Sequence, residues 1–391
     1  MENHSVKSPT RIRALRYLLE GASILLLALL LGALVTLHFT RPPTQYQAQN
    51  LTGENTVQAR ILEIKESHFQ DDPEGMAQLY QLLEVEILTP GAYKGRRMTI
   101  AYNGVGASER DVTFKVGDRA MVMASTPPGG ETAFLVTDHV RLAPLLALVG
   151  MLVVVALVIG QWQGARAVLG LALSIALLGG FIIPQILADR DPLLVTLIGI
   201  AAVLASTTFL IQGWNPPAHT ALLGILASLV VTALLAVLWT WLAHLSGFGS
   251  EETLYLHAMG IRLNMRGLLL AGIVIGAGGV LDDVVLAQAV GAFEMSEAAP
   301  DLTFRELYRR LMKVGNAHLL TMINTLVLAY ASTALPLLIM FSLYPEPGIL
   351  TLNREMIAQE IVHAVVGSMG VMLAVPLTTV IAARVAKSLQ G

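Results

Sequence analysis

The chain has no cysteine, which excludes disulfides, thiolate metal sites and a cysteine nucleophile. A metal site would have to be built from His, Asp and Glu. Charge is also scarce: 14% of the 391 residues are Asp, Glu, Lys or Arg, against 54% hydrophobic. With a mean hydropathy of +0.65, this is too apolar for a soluble domain of that length. The net charge of −3 gives no sign of nucleic-acid binding. No H-E-x-x-H, G-x-S-x-G or Walker sequence occurs, so the usual parts of a protease, hydrolase or ATPase are missing.

What is present is a series of apolar stretches of about 20 residues, the length that crosses a hydrocarbon core. The first, near 17–39, follows Lys7, Arg11, Arg13 and Arg16 and is not followed by a small-x-small cleavage site. It reads as a retained anchor with its basic end in the cytoplasm. Seven more lie near 142–160, 168–187, 193–211, 220–245, 267–292, 318–341 and 361–383. Between the first and second the chain changes character. Short alternating runs (TVQARILEIKE, LLEVEIL, RRMTIAYN, RAMVMAS) are separated by turn signals at Pro90-Gly91, Asn103-Gly104 and Pro127-Pro128-Gly129-Gly130.

The expected architecture is therefore a mainly α membrane protein of about eight transmembrane helices. A small extracytoplasmic β-barrel, OB-like in type, falls between helices 1 and 2. Its domains are 1–44 (basic N-terminus and anchor), 45–140 (β domain) and 141–391 (seven helices). Arg166, Arg305, Arg309, Arg310, Lys313, Arg384 and Lys387 fall in segments that this count places in the cytoplasm, as the positive-inside rule requires. Both termini are then cytoplasmic. Pro184 and Pro336 fall late in the third span of each half, a layout that parallel repeats would also produce.

The strongest lead lies in AGIVIGAGGVLDDVVLAQAV, where Asp282 and Asp283 follow a run of small residues inside a span. An aspartate at a helix centre costs about 3 kcal/mol on insertion scales, so such acids face water, a cation or a polar partner. Gly272-x-x-x-Gly276 is a helix-packing spacing, whereas Gly278-Gly279 could unwind the helix locally and free carbonyl oxygens beside the acids. Glu294, eleven residues after Asp283, returns to nearly the same face. Asn316, His318, Asn324 and Tyr330 follow in the next span, before Pro336; helix–helix hydrogen bonding is the simpler reading of the two asparagines. Glu360 and His363 share a face at i and i+3, and a local ion pair suits them better than a metal site. Pro376 sits in the last span as a further hinge or packing residue.

Three stretches resemble the YibE/F-like bacterial membrane proteins: GAGGVLDDVVLAQAVGAFEM (276–295), NTLVLAYASTALPLLIMF (324–341) and AQEIVHAVVGSMGVMLAVPLTT (358–379). The resemblance implies a multi-span protein of the bacterial inner membrane and carries no established activity. Asp283 matches the family's most characteristic intramembrane acid, and Glu294, Asn324, Tyr330, Pro336 and Glu360 also fall on matching positions. Asn316-Ala317 stands where Arg-Asp is expected, and His363 stands where Arg is frequent.

The leading expectation is a non-enzymatic secondary transporter or permease that binds a proton or cation at the aspartate pair, with Asp283 exchanging it and Asp282 tuning the exchange. The alternatives are a membrane scaffold whose β domain binds a partner, and an intramembrane metal-assisted enzyme. The lipid bilayer is the expected partner and nucleic acid is not; a homo-oligomer is allowed. The sequence names no cofactor and no transported ion or solute.

Overall fold

The computed structural model describes residues 36, 56–71, 77–91, 93–104, 113–125, 132–343 and 346–390. The expected anchor near 17–39, apart from Thr36, and the Pro127–Gly130 turn signal lie outside the described residues. The chain divides into two compact units, one of Tyr46–Val155 and one that contains Ala156–Gly391.

The first unit is a curled antiparallel sheet. Its strands are β1 (Thr56–Asp71), β2 (Ala77–Ile87), β3 (Arg97–Gly104), β4 (Arg119–Ser125) and β5 (Ala133–His139), hydrogen-bonded in the order β3-β2-β1-β4-β5. In β2 the buried Leu79, Gln81, Leu83, Val85 and Ile87 alternate with half-buried neighbours, the period-2 pattern of a sheet with one face on a core. Register shifts between Ile61 and Glu63 and between Ile64 and Glu66 bend β1, so that it pairs with both β2 and β4. Among the described residues no ladder joins β3 to β5, which makes this a half-barrel rather than the closed barrel expected. Gln81 secures the segment before β4 from inside: its Oε1 accepts from Phe114 N at 3.0 Å and its Nε2 donates to Phe114 O at 3.3 Å. The following turn needs Gly117, at φ +96°.

Helix α1 runs from Leu142 to Leu177 but breaks at Gln161 (φ 47°, ψ −124°). A methyl on Gly164 would collide with the Ala156 carbonyl, although residues eight apart in an unbroken helix are about 12 Å apart along the axis. The chain therefore turns back sharply at this point. A π-helical turn, Leu178–Ile182, and the short α2 (Ile183–Leu187) complete the segment. Pro184 has no N–H to give the Gly180 carbonyl, and Ile183 N bonds instead to Leu178 O, a five-residue step that accommodates the proline.

The remaining helices begin where side chains cap them. Asp191 accepts from Leu194 N at the start of α3 (Pro192–Gln212), and Asn215 from Ala218 N at the start of α4 (Pro216–Leu242). Ser250 caps α5 (Glu251–Ala258) and Asn264 caps α6 (Met265–Ala298). A reciprocal Thr303–Glu306 capping box opens α7 (Phe304–Thr333). After a break at Ala334 come α8 (Leu335–Leu343), with Pro336 in its first turn, then α9 (Gly348–Asn353) and α10 (Glu355–Gln390), which continues through Pro376.

Six helical segments among the described residues are long and apolar enough to cross a membrane; one of them is the whole of Leu142–Leu187. Helices α3, α4, α6 and α10 enclose the main core, which includes Leu204, Ile225, Leu281, Val285 and Val375. Helix α7 packs mainly along α10.

Candidate functional site

Helix α6 is continuous from Met265 to Ala298, so Gly278-Gly279 does not unwind it, contrary to what the sequence allowed. Gly278 serves close packing instead: a methyl there would lie 2.8 Å from Ile200 Cγ2 of α3. In an intact helix adjacent residues point about 100° apart, and this separates the two aspartates. Asp282 is half-buried against α3, while Asp283 is exposed and has no hydrogen bond among the described residues.

Thr208 Oγ1 lies 3.3 Å from Asp282 Oδ1, and Thr207 lines the same cavity as the carboxyl group while its hydroxyl bonds to Val203 O and Leu204 O. Asp282 lines a cavity of about 320 Å³ with Ser174, Thr207, Gly278 and Gly279; aliphatic side chains from α1, α3 and α6 complete it. Leu178 and Ile182 of the π-helical turn form part of the wall. Asp282 is the only ionisable residue in this lining. The chamber offers one acid, a few hydroxyls and an otherwise apolar surface.

A second polar cluster sits on another face of α6. Tyr330 of α7 and His363 of α10 have ring centroids 4.6 Å apart. Both press on Gly276, where a methyl would lie 2.6 Å from the Tyr330 hydroxyl and 3.1 Å from His363 Nε2. The imidazole packs beside Gly272, where a methyl would lie 3.9 Å from His363 Cε1, and its Nε2 is buried without a partner among the described residues. Glu360, one turn away, lines a separate cavity of about 410 Å³ with Ser250, Glu252, Thr333 and Pro336. The expected Glu360–His363 ion pair does not form: the ring turns to Tyr330 and Gly272 instead. Among the described residues no group of three or more His, Asp or Glu could hold a metal ion.

The other sequence candidates are not drawn in. Glu294 is exposed on the same edge of α6 as Asp283, and Asn316, His318 and Asn324 are exposed on α7. Sequence reasoning missed Ser174, Thr207 and Thr208; the only signal was hydroxyls in apolar spans. Gln288 accepts a 3.0 Å bond from Thr379 Oγ1 between α6 and α10. Glu355 was missed as well. It accepts from the Ser246 and Gly247 amides at 2.6 and 2.9 Å and so ties α10 to the end of α4.

A family model described as YibE/F-like protein matches residues 148–388, more than half of the chain and all of α3 to α9. The chain belongs to the YibE/F-like family. No curated protein and no solved structure matches it. The YibE/F-like match takes in both polar clusters and leaves the β unit outside, apart from its helical end.

Proposed function

We propose that this YibE/F-like protein is a multi-pass protein of the bacterial inner membrane that passes a proton or small cation by way of Asp282. The observation that carries this reading is the cavity: one carboxylate, midway along a 34-residue apolar helix, is the only ionisable group in its lining. A purely structural acid at such a depth would be matched by a basic partner, and no basic residue lines this chamber.

The hydroxyls supply a two-state contact. Thr208 has one hydroxyl hydrogen and two acceptors within reach, Leu204 O at 2.7 Å and Asp282 Oδ1 at 3.3 Å. With Asp282 protonated, its O–H donates to Thr208 Oγ1 and the threonine keeps its backbone bond. With Asp282 ionised, the threonine hydrogen turns to the carboxylate, or a cation takes the proton's place. Rotation of one hydroxyl therefore follows the charge state, with no change in the helix.

Asp283 matches the family's characteristic acid, yet it lies outside this chamber, so exchange is assigned to Asp282. Full-length protein in liposomes, tested with proton, sodium and potassium gradients, provides the test. Asp282→Asn should abolish flux, and Asp283→Asn should retain more than about half of it. Unchanged flux in Asp282→Asn, or no flux from wild-type protein under any gradient, would overturn the proposal and favour a non-transporting scaffold.

A further inference from the structure

Helix α7 carries an amide that none of the other described residues answers. One face of α7 packs against its neighbours through the buried Leu307, Leu311, Gly315, Leu319 and Leu326. Asn324 is nine residues beyond Gly315, two and a half helical turns at about 3.6 residues each, so it points directly away from that face. It is exposed, and its side chain has no hydrogen bond among the described residues.

Depth makes this costly. Gly315 packs on Gln288 and Gly276 packs on Tyr330, so α7 runs antiparallel to α6 and Asn324 falls near the level of Leu281 and Asp282. An amide at that depth in hydrocarbon needs a partner. The residues around it form a seam. Ala317, Asn324 and Ala331 are spaced seven apart, with Leu320 (72% exposed), Val327 and Leu328 between them. This heptad stripe, with one asparagine at its centre, is the pattern by which two helices meet and fix their register. It extends for about 21 Å.

We infer that α7 pairs with α7 of a second copy of this chain about a two-fold axis through Asn324. The occupant follows from self-complementarity. An amide both donates and accepts, so Nδ2 of one Asn324 can donate to Oδ1 of the partner's Asn324 while its own Oδ1 accepts from the partner's Nδ2. The small Ala317 and Ala331 on either side let the two backbones approach. The Asp282 cavity faces α3 and α1, away from this seam, so the pairing stands whether or not the chain transports.

The absence of cysteine permits a direct test in membranes of cells expressing the full chain. Single cysteines are introduced by Ala317→Cys and Ala331→Cys on the seam, and by Val314→Cys and Thr325→Cys on the flank, and each is oxidised with copper phenanthroline. The seam positions should give at least about fivefold more disulfide-linked dimer than the flank. Adding Asn324→Leu to Ala317→Cys should return the yield to the flank level, while Asn324→Gln should keep most of it. Equal cross-linking at seam and flank would overturn the inference, as would full seam cross-linking with leucine at position 324. Either result would leave the amide to another segment of the same chain or to water.

Discussion

At the scale of single residues, the acid pair was legible and its division of labour was not. Two carboxylates in an apolar run stand out in any reading, but which one faces a cavity depends on whether α6 unwinds. The helix stays whole because Gly278 is needed for contact with Ile200. Thr207 and Thr208 were illegible for a different reason: a threonine in a span ordinarily bonds back to its own helix, and both do so here. Only the neighbouring helix shows that Thr208 also reaches Asp282 and that Thr207 lines its cavity. Thr208→Val keeps the shape and removes the hydroxyl. The loss of a hydrogen bond of net ~1 kcal/mol should lower flux roughly fivefold, whereas Thr208→Ser should stay within about twofold of wild type. Normal flux in the valine variant would show that Asp282 works without the threonine.

At the scale of elements, helix starts are fixed by local side chains: Asp191, Asn215, Ser250, Asn264 and Thr303 each cap the helix that follows. The contacts between helices were hidden, because a glycine's spacing does not reveal what it meets. Gly224 is the sharpest case. A methyl there would lie 2.7 Å from Thr378 Oγ1 and 2.9 Å from Val285 Cγ1, at the junction of α4, α6 and α10. Gly224→Val should therefore overpack the core and cost about 1–3 kcal/mol, read as a lower thermal unfolding midpoint in detergent. Gly291 provides the contrast, since its nearest neighbour would be Leu311 Cδ2 at an ordinary 3.8 Å. Gly291→Ala should leave the midpoint level or raise it, because alanine favours a helix by about 1 kcal/mol over glycine. If both variants melt alike, close packing at Gly224 is not what holds these three helices together.

At the scale of the whole molecule, the change of period marked the β segment, and four of its five strands lie where the alternating runs were; β5 (Ala133–His139) had no such run. The sequence could not show that the sheet stops at a half-barrel, since closure depends on β3 and β5 meeting. The helical unit gathers most of its basic residues at one end, with Arg190, Arg262, Arg266 and Arg354 elsewhere. Lys387 Nζ donates to Pro300 O at 2.9 Å, and the Arg384 guanidinium lies 5.7 Å from the Phe304 ring. These contacts bring the end of α10 to the α6–α7 connection, beside Arg305, Arg309, Arg310 and Lys313. At the other end, Arg266 donates to Leu245 O at the close of α4. One end is rich in cations, which the positive-inside rule assigns to the cytoplasm. The side on which the β unit lies then depends on Leu142–Leu187. Its 46 residues would extend about 69 Å as one helix, more than twice a hydrocarbon core of ~30 Å. If the segment crosses twice, as the two apolar stretches in its sequence predict, five crossings separate Gly104 from Lys313 and the two fall on opposite sides. A single crossing would leave four and place them on the same side. Reporter fusions after Gly104 and after Lys313 should accordingly give opposite signals in cells, and matching signals would mean that the break at Gln161 does not reverse the chain across the membrane.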